Sequence, residues 1–486
     1  MRLKDVTRRL DGAGLLIEAA DADPVLAGVS DNSRMVAEGD LFCAWSGTTY
    51  DSHDALADVA RAGAAAALVE RRIRQVPLPQ VHVSDGRRAA ALSASVVFGD
   101  PQDALRVAGI TGTNGKTTSV WILRHLLSLR YPTASLGTLG VIQQDGTPLA
   151  GASALTTPGP VDLARTLRQL VDRGVSAIVM ETSSHALHQG RVEALRFDVA
   201  VFTNLSRDHL DYHGTVEAYL EAKLSLCDLL RADGVAVVNA DDPAWASVAA
   251  RAARVIRFGL RESANVRAVN VRLDADGARF DLVHRGDAAP VTLPLLGEFN
   301  VHNALGAAAS ALAMGFTLAD VVRQLATIPQ VPGRLERIAD EPCPVLRDYS
   351  HTPDALGRAL EALRPLVSGR LIVVFGAGGD RDRGKRPLMG AVAERAADIA
   401  IVTSDNPRTE DPDAIIDEIE AGMSQPHVRV TDRRSAIAQA LRIAKPDDLI
   451  LLAGKGHETY QVIGRETRPF DERDIVHELW AERGTW

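Results

Sequence analysis

The chain has 486 residues, of which 46% are hydrophobic and 24% charged, and this length predicts about two to four domains rather than one core. Its formal net charge of −9 and its 4% of aromatic residues argue against a nucleic-acid partner, which selects basic surfaces with stacking side chains. The cysteines lack disulfide or metal-ligand spacing, and neither a signal-peptide pattern nor a membrane-length apolar run occurs, so we expect a cytoplasmic protein. We also expect a monomer.

Two turn-rich segments divide the chain into three predicted domains. The first segment is FGDPQD at residues 98–103, and the second is IPQVPGR at residues 328–334, where two prolines interrupt a helical pattern. We therefore expect domains at residues 1–102, 103–332 and 333–486. Within the first of them, the alanine-rich stretch ALADVARAGAAAALVE predicts a helix.

Short apolar runs alternate with helical patterns through the second and third predicted domains. The runs are SAIVM, FDVAVF and GVAVVN, followed later by LIVVFG, DIAIVT and DLILLA. Strands that are apolar throughout and are separated by helices are typical of parallel sheets covered on both faces. The sequence therefore predicts an α/β protein with a central P-loop-type doubly wound sheet and a C-terminal Rossmann-like sheet.

The stretch GITGTNGKTT at residues 109–118 predicts a phosphate-binding loop. Glycines let the backbone approach a phosphate, a lysine supplies charge and a hydroxyl ligates Mg²⁺. The segment lies between an apolar run and the helical pattern TSVWILRHLL, and its first usual glycine is replaced by Ile110. The alternative is a simple strand–helix turn. The candidate nucleotide-binding residues are Gly112, Thr113, Asn114, Gly115, Lys116, Thr117 and Thr118.

Polar residues follow two of the central runs at the point where each run ends. Glu181 follows SAIVM, and Asn204, Asp208, His209 and Asp211 follow FDVAVF. Open α/β sheets bind ligands at the carboxyl ends of their strands. With the glycine loop, these residues predict a metal and phosphate site, although a carboxylate in this position is also a common helix cap.

Seven ordered segments between about residues 105 and 460 resemble the Mur ligase family. They are GTNGKTT, METSSH, TNLSRDHLDYHGT, GEFNVHN, PGRLE, DYSHTPD and AGKGHE. These cytoplasmic enzymes join amino acids to the peptide of the bacterial cell-wall precursor. The resemblance implies ATP and Mg²⁺ as cofactors and an acyl phosphate formed on a substrate carboxylate, which an incoming amine then attacks. No nucleophilic serine or cysteine is implied.

The resemblance also implies roles at the phosphate loop. Lys116 holds the β- and γ-phosphates, and Thr117, Glu181 and His209 hold Mg²⁺ directly or through water. Lys223 in EAYLEAKLSLCDLL is implied to be a carbamylated lysine that binds a second Mg²⁺. The residues alone leave open the alternative of a solvated helix lysine.

Three further residues are implied to meet the nucleotide. Asn303 in GEFNVHN is placed near the adenine, although Asn300 or Asn303 is also a candidate cap for the helix that follows. Arg334 in PGRLE and Asp348 in DYSH are placed on a third domain that closes over the nucleotide, with His351 close by.

The implied acceptor is a UDP-muramoyl dipeptide. TTPGP and ETSSHALHQGR resemble the family's binding strip for it, and a surface loop is the alternative for Gln189 and Arg191. Ser33 lies in a segment at residues 31–55 that resembles the uridine-binding region, with departures at Thr48 and Ser52. The acceptor-binding candidates on the strip are Thr156, Thr157, Ser183, Gln189 and Arg191.

TTPGP and DNPRTEDP carry a finer match, to family members that add diaminopimelate. In the loops after three C-terminal strands, Arg381 and Arg408 are candidates to clamp the far carboxylate of this amine. Candidates to accept from its ammonium are Asp405, Asn406, Glu458 and the Gly454 carbonyl. The alternatives are addition of L-lysine, folate polyglutamate ligation, which TTPGP and DNPR argue against, and a non-ligating nucleotide switch.

Overall fold

The computed structural model describes residues 1–47, 50–151, 153 and 155–482. Two compact units account for its internal contacts. The first comprises residues 1–269, 282–289 and 302–325, and the second comprises residues 270–281, 290–301 and 326–486. Since the first unit contains both sides of the proposed 102/103 boundary, the division into three domains stays a prediction.

Helices occur in all three predicted domains of the chain. In chain order they are α1 (Leu3–Gly12), α2 (Leu56–Arg61), α3 (Gly86–Val97), α4 (Lys116–Leu127), α5 (Pro160–Asp172), α6 (Ser184–His188), α7 (Leu210–His213), α8 (Val216–Leu224), α9 (Glu298–Ala313), α10 (Leu318–Leu325), α11 (Pro353–Leu363), α12 (Lys385–Ala396), α13 (Pro412–Glu420), α14 (Arg433–Ile443) and α15 (Glu472–Ala481).

Strands alternate with these helices along much of the chain. In chain order they are β1 (Leu16–Glu18), β2 (Gly28–Ser30), β3 (Asp40–Cys43), β4 (Ala66–Val69), β5 (Gln80–Val83), β6 (Arg106–Thr111), β7 (Thr133–Gly137), β8 (Gly140–Ile142), β9 (Ala177–Glu181), β10 (Phe197–Phe202), β11 (Leu230–Asn239), β12 (Val255–Gly259), β13 (Val266–Asp274), β14 (Gly277–His284), β15 (Asp287–Leu293), β16 (Glu336–Ala339), β17 (Val345–Asp348), β18 (Leu371–Phe375), β19 (Ile399–Val402), β20 (Val428–Arg429), β21 (Leu449–Ala453), β22 (Tyr460–Ile463) and β23 (Glu466–Pro469).

The N-terminal region forms a sheet of order β1-β5-β4-β3-β2, with β1 antiparallel to β5 and the other pairs parallel. Successive residues of β3 pack on opposite faces, since Leu41 and Cys43 belong to one buried cluster and Phe42 and Ala44 to another. Both faces of this small sheet are therefore covered by apolar side chains.

The predicted helix at ALADVARAGAAAALVE is wrong in its second half. Helix α2 ends at Arg61, and Gly63 takes a left-handed φ of 94°, which favours glycine after a helix. Two of the alanines that follow, Ala66 and Ala67, are fully buried in strand β4, between β3 and β5. Burial on both faces of a sheet overrides the helix propensity of alanine here.

The central sheet of the first unit has the order β12-β11-β10-β6-β9-β7-β8, and its pairs are parallel except for the β7–β8 hairpin. The runs SAIVM, FDVAVF and GVAVVN form β9, β10 and β11, as predicted. The register aligns Ile110 with Glu181 and Thr111 with Phe202, so β6, β9 and β10 end at the same edge.

The second unit contains a sheet of order β16-β17-β21-β18-β19-β20, in which only β16 is antiparallel to its neighbour. Leu371 and Val373 of β18 belong to a buried cluster with α11, α12 and α13, while Ile372 and Val374 belong to a cluster with α14 and α15. Helices therefore cover both faces, and the predicted α/β class with a Rossmann-like C-terminal sheet is confirmed.

Helix α9 begins earlier than predicted. It starts at Glu298, so Asn300 and Asn303 lie inside the helix and neither is its cap. The Asn300 amide donates to the Leu296 carbonyl at 2.8 Å. Within the described part of the chain, none of the helices has both the length and the apolar character needed to cross a membrane.

Candidate functional site

The glycine loop connects β6 to α4 and is built as a phosphate cradle. Gly112 has a φ of 147°, and a Cβ added there would lie 1.9 Å from the Thr203 hydroxyl, so only glycine fits. Lys116 begins α4, and its ammonium donates to the carbonyls of Gly112 and Thr113 at 3.0 and 2.8 Å. The amine thus lies over the loop, where the phosphates of a nucleotide would bind.

The segment that follows β10 is hydrogen-bonded to this glycine loop. The Asn114 N–H donates to the Asn204 amide oxygen at 3.0 Å, and the Asn204 amide donates back to the Asn114 carbonyl at 3.0 Å. The Thr203 hydroxyl donates to the same carbonyl at 2.7 Å. The structure therefore assigns Asn204 a positioning contact with the loop.

Glu181 lies buried at the end of β9, beside the first turn of α4. Its carboxylate accepts from the Thr117 hydroxyl at 2.9 Å and from the Thr138 N–H at 2.7 Å. A Cβ at Gly137 would lie 2.3 Å from the carboxylate, which explains the glycine there. Thr138 was missed by the sequence reasoning, although it follows β7, the neighbour of β9, and is therefore a polar residue at the same sheet edge.

Lys223 on α8 is buried, with 1% of its surface exposed, so the alternative of a solvated lysine is wrong. Its ammonium donates to the Gly112 carbonyl at 2.7 Å and lies 4.4 Å from the centre of the Tyr219 ring. Burial, and then the charge of Lys116, lower the pKa of Lys223 well below its usual value. A buried amine that loses its proton readily is chemically suited to react with CO₂.

His209 lies at the start of α7 in a left-handed conformation, with a φ of 53°. Burial lowers its pKa, Asp208 raises it, and the nearby ammonium groups of Lys116 and Lys223 lower it again. The net lowering favours the neutral imidazole, which is the form that ligates metals.

The described residues contain no group of three His, Cys, Asp or Glu side chains arranged to hold a metal ion. A hydroxyl at Thr117 and a carboxylate at Glu181, 2.9 Å apart, are nevertheless an oxygen pair of the kind that Mg²⁺ uses. Mg²⁺ in nucleotide sites takes one or two protein ligands and completes its shell with phosphates and water. The donor set thus fits a metal that is bound together with a nucleotide.

The candidate acceptor strip is brought together next to Glu181. The Thr157 hydroxyl donates to the Glu181 carbonyl at 2.9 Å and lies 3.3 Å from the Ser183 hydroxyl. The Arg191 guanidinium donates to the Thr157 carbonyl at 3.0 Å and, twice, to the Gln189 amide oxygen at 2.9 and 2.7 Å.

Two threonines and a tyrosine complete the strip. The Thr156 hydroxyl lies 3.3 Å from that of Thr138, and the Gln189 amide donates to the Tyr212 hydroxyl at 3.0 Å. Tyr212, in DHLDYHG, is a further residue that the sequence reasoning missed. The five predicted residues therefore form one connected strip rather than a scattered surface loop.

The N-terminal sheet carries a cavity of about 520 Å³, and the lining residues include Ser33, Arg34, Trp45 and Ser52. The Ser52 hydroxyl donates to the Trp45 carbonyl and accepts from the Trp45 N–H, both at 2.8 Å, so this departure from the family pattern closes a turn at the cavity. Thr48, the other departure, lies outside the described residues. The carboxylate of Asp31, another lining residue, lies 3.8 Å from an added Cβ at Gly159, which places TTPGP next to the cavity.

Asn303 packs against the glycine loop from α9. Its amide oxygen accepts from the Ser119 hydroxyl at 3.3 Å. A Cβ at Gly115, where φ is 84°, would lie 2.3 Å from that oxygen. Asn303 therefore packs directly against the backbone of the glycine loop.

In the second unit, Arg334 and Asp348 lie near one another. The guanidinium of Arg334 lies 4.7 Å from the centre of the Tyr349 ring, and Asp348 accepts from the Leu335 N–H at 2.8 Å and from the Ser350 hydroxyl. Burial raises the pKa of Asp348, and Arg334 is the main group opposing that rise. His351 follows in the same loop, and its imidazole lies 2.8 Å from the Tyr349 carbonyl.

The two candidate arginines for the amine substrate flank Gly378. A Cβ added at Gly378 would lie 2.9 Å from an Arg408 guanidinium nitrogen and 3.7 Å from Arg381 Cγ. Arg408 has a left-handed φ of 53°, and its guanidinium donates to the Gly379 carbonyl at 2.7 Å.

A buried ion pair joins the first turn of α12, which follows the Arg381 loop, to Glu410 in the Arg408 loop and to Glu418 in α13. Arg386 has no exposed surface, and its guanidinium donates to Glu410 at 2.9 and 2.8 Å and to Glu418 at 2.8 Å. The start of α12, directly after the loop that follows β18, is thereby fixed to the loop after β19 and to α13.

The candidate ammonium receptor contains a lysine that the sequence reasoning did not single out. Lys455, in AGKGHE, is fully buried, and its ammonium lies 3.5 Å from Asp405, 3.0 Å from the Asn406 amide oxygen and 3.7 Å from Glu458. A Cβ at Gly454 would lie 2.5 Å from the Asp405 carboxylate. The four predicted residues thus do lie together, at the carboxyl ends of β19 and β21.

Known proteins match the chain over most of its length. The Mur ligase middle domain matches residues 110–311, and the Mur ligase, glutamate ligase domain matches residues 333–456. The UDP-N-acetylmuramoyl-L-alanyl-D-glutamate–2,6-diaminopimelate ligase of Geobacillus kaustophilus (strain HTA426) is 44% identical, over 95% of this chain and 96% of the relative. The chain belongs to the Mur ligase family.

Two further comparisons agree with this Mur ligase assignment. The ligase of the same name from Geobacter metallireducens (strain ATCC 53774 / DSM 7210 / GS-15) is 43% identical, over 99% of both chains. A solved structure of a UDP-N-acetylmuramoyl-L-alanyl-D-glutamate–2,6-diaminopimelate ligase is 34% identical, with a TM-score of 0.69, over 94% of this chain and 95% of the other. The family resemblance of the seven segments is confirmed.

Proposed function

We propose that this Mur ligase uses ATP to join the amine of meso-diaminopimelate to UDP-N-acetylmuramoyl-L-alanyl-D-glutamate, in the cytoplasmic synthesis of the peptidoglycan precursor. The observation that carries the proposal is the identity of 44% and 43%, over nearly the whole chain, to two ligases named for this reaction. The arginine and acid loops at the carboxyl ends of β18, β19 and β21 support it, because they offer both charges that a zwitterionic amine requires.

The nucleotide step is assigned to the glycine loop. Lys116 leaves the carbonyls of Gly112 and Thr113 and donates to the β- and γ-phosphates, while the first N–H groups of α4 point toward the phosphate oxygens. Phosphoryl transfer depends mainly on positioning and on neutralisation of charge, which this loop provides. Asn303, Arg334 and Asp348 are proposed to contact the remainder of the nucleotide.

Thr117, Glu181 and His209 are the residues proposed to hold Mg²⁺, directly or through water. When bound, Mg²⁺ supplies positive charge that neutralises the phosphates of the nucleotide. Lys223 is proposed to be carbamylated. Its buried ammonium loses one proton, and the resulting amine forms an N–C bond to CO₂ and releases a second proton, which converts a cationic side chain into an anionic metal ligand.

The acceptor strip is proposed to orient the peptide carboxylate that reacts. Thr156, Thr157, Ser183, Gln189 and Arg191 bind the dipeptide, and Ser33 contributes to the cavity for the uridine end. The carboxylate oxygen bonds to the γ-phosphorus, and the bond to ADP breaks.

The amine of diaminopimelate then attacks the acyl carbon, loses a proton, and inorganic phosphate leaves. Arg381 and Arg408 are proposed to bind the carboxylate at the far end of this amine. Asp405 and Glu458 are proposed to accept from its ammonium, with the Gly454 carbonyl beside them, while Asn406 holds Glu458 in place within the same receptor.

An ADP-release assay tests the proposal. We expect release to require ATP, the UDP-muramoyl dipeptide and meso-diaminopimelate together, and to be lost in a Lys116→Ala control. Faster release with L-lysine would identify a lysine-adding ligase instead. Release with ATP alone would contradict ligation and indicate a nucleotide switch.

A further inference from the structure

The proposed receptor for the far ammonium of the substrate already contains an ammonium of the protein. Lys455 is fully buried, and its amine lies between two carboxylates, 3.5 Å from Asp405 and 3.7 Å from Glu458. Both carboxylates are themselves largely buried, with 8% and 17% of their side-chain surfaces exposed. A lysine with a fully buried side chain is rare unless it is paired with an acidic group. The ammonium of Lys455 is therefore one of the charged groups that build the site.

Asn406 connects these three charged groups. Its amide oxygen accepts from the Lys455 ammonium and from the Val462 N–H, both at 3.0 Å, and its amide nitrogen donates to Glu458 at 2.9 Å. Both lone pairs of the oxygen are therefore used within the protein. The Asn406 amide has a fixed orientation, and the groups left to accept from a substrate ammonium are the two carboxylates and the Gly454 carbonyl.

The net charge of this cluster follows from its three ionisable side chains. Asp405 and Glu458 contribute two negative charges and Lys455 one positive charge, so one negative charge is left over. Two carboxylates at one buried site raise each other's pKa unless a cation lies between them. The one remaining negative charge matches the single positive charge of a substrate ammonium.

We propose that Lys455 is a positioning residue, which offsets one of the two carboxylate charges and leaves one negative charge for the ammonium at the far end of the amine substrate. The proposal rests on the proposed function, since it concerns the amine-binding part of that site. Lys455 acts through Asp405, Asn406 and Glu458 and has no direct contact with the substrate.

The pH dependence of amine binding should report this role. Burial raises the pKa of Glu458, and Lys455 is the main group that opposes the rise. Loss of the ammonium therefore raises this pKa further, and the carboxylate that must accept from the substrate becomes protonated as the pH falls. The charged and titratable groups that face Glu458 are Lys455, Asp405, Arg408, Arg433, Tyr349 and Tyr460.

The experiment uses the full chain with Lys455→Met, which removes the charge, and Lys455→Gln, which keeps a donor for Asn406 without the charge. We expect KM for meso-diaminopimelate to rise about tenfold or more, while KM for ATP and for the UDP-muramoyl dipeptide change less than about twofold. The acid limb of kcat/KM for the amine should shift upward by about one pH unit in both variants.

A double variant separates charge from packing. Adding Glu458→Gln to Lys455→Met restores the net charge of the cluster and removes the group whose titration moved, so the upward shift of the acid limb should disappear. Wild-type values of KM and of the acid limb in the single variants would overturn the proposal. Equal losses for all three substrates would also overturn it, because they indicate a general structural role.

These outcomes differ from a failure of the proposed function. If the wild-type enzyme shows no ADP release that depends on diaminopimelate, the proposed reaction is wrong. If it does, and the Lys455 variants match it, only the role of Lys455 is wrong. Should Lys455→Met not accumulate as a folded protein, Lys455→Gln decides, because it preserves the hydrogen bond that holds Asn406.

Discussion

Replacing Arg386 by methionine removes the buried ion pair that joins the first turn of α12 to Glu410 and Glu418, and it changes the side-chain volume little. Charge-assisted hydrogen bonds contribute about 1.5 to 3 kcal/mol each. Arg386 makes three of them to carboxylates, at 2.9, 2.8 and 2.8 Å. Glu410 and Glu418 keep 24% and 27% of their side chains exposed, so water replaces part of what is lost. We therefore expect the free energy of unfolding to fall by about 3 kcal/mol, at the lower end for a broken buried pair.

The pH dependence of this loss follows from Glu410. Its hydrogen bond to Arg386 is the main cause that lowers the pKa of Glu410 from 4.5 to about 2. A carboxylate with a lowered pKa contributes its full stability above the unfolded value and loses it as the pH falls through the folded value. The difference between the wild type and Arg386→Met should therefore be constant above about pH 4.5 and shrink toward pH 2.

Urea unfolding followed by circular dichroism measures this difference, and KM for meso-diaminopimelate should rise in parallel because the arginine loops loosen. Arg383→Met is the matched control, since Arg383 pairs with the same Glu418 but keeps 68% of its side chain exposed. Surface pairs contribute little, so we expect a much smaller loss there than in Arg386→Met. Equal effects of the two variants, or a loss below about 1 kcal/mol in Arg386→Met with unchanged KM, would refute the reasoning.

Three further substitutions test other parts of the site. Lys223→Ala should lower kcat by about a hundredfold or more, with partial recovery when short carboxylic acids are added in the ADP-release assay, and full activity without any such effect would argue against a carbamate. Arg408→Met should raise KM for meso-diaminopimelate by about a hundredfold and change the use of L-lysine much less, because it removes the planar clamp for the far carboxylate. A preserved ratio between the two amines in the same kinetic assay would count against that clamp. Gly115→Ala should weaken ATP binding, measured by calorimetry, because the added Cβ would lie 2.3 Å from the Asn303 amide oxygen. Its control is Gly146→Ala, where φ is a similar 88° but no atom lies within 4 Å, and equal effects at both glycines would contradict the account.

The fold could be predicted well wherever apolar runs form interior strands. The six apolar runs, from SAIVM to DLILLA, form parallel strands. A sheet that is covered on both faces requires apolar side chains at successive positions of each strand. The wrong prediction of a continuous helix at ALADVARAGAAAALVE has the same origin, because alanine side chains fit a buried strand such as β4 as well as they fit a helix. The local helix and strand propensities of such a segment do not distinguish a helix from a buried strand. Its tertiary packing does.

The candidate site could be predicted at the loops but not in the connections between them. Glu181 and the glycine loop were found because sequence motifs mark the ends of β9 and β6. Thr138 and Tyr212 were missed, because each acts through a partner that is distant in the sequence. Lys455 stands inside the AGKGHE segment, yet its burial between two carboxylates depends on the adjacency of β21 and the loop after β19 and is visible only in the structure.

The carbonyl of Gly112 receives hydrogen bonds from two amines, Lys116 and Lys223. Burial, and then the nearby charge of Lys116, lower the pKa of the deeper amine, Lys223, well below its usual value. The backbone of one glycine thus brings together the amine proposed to bind phosphates and the amine proposed to react with CO₂.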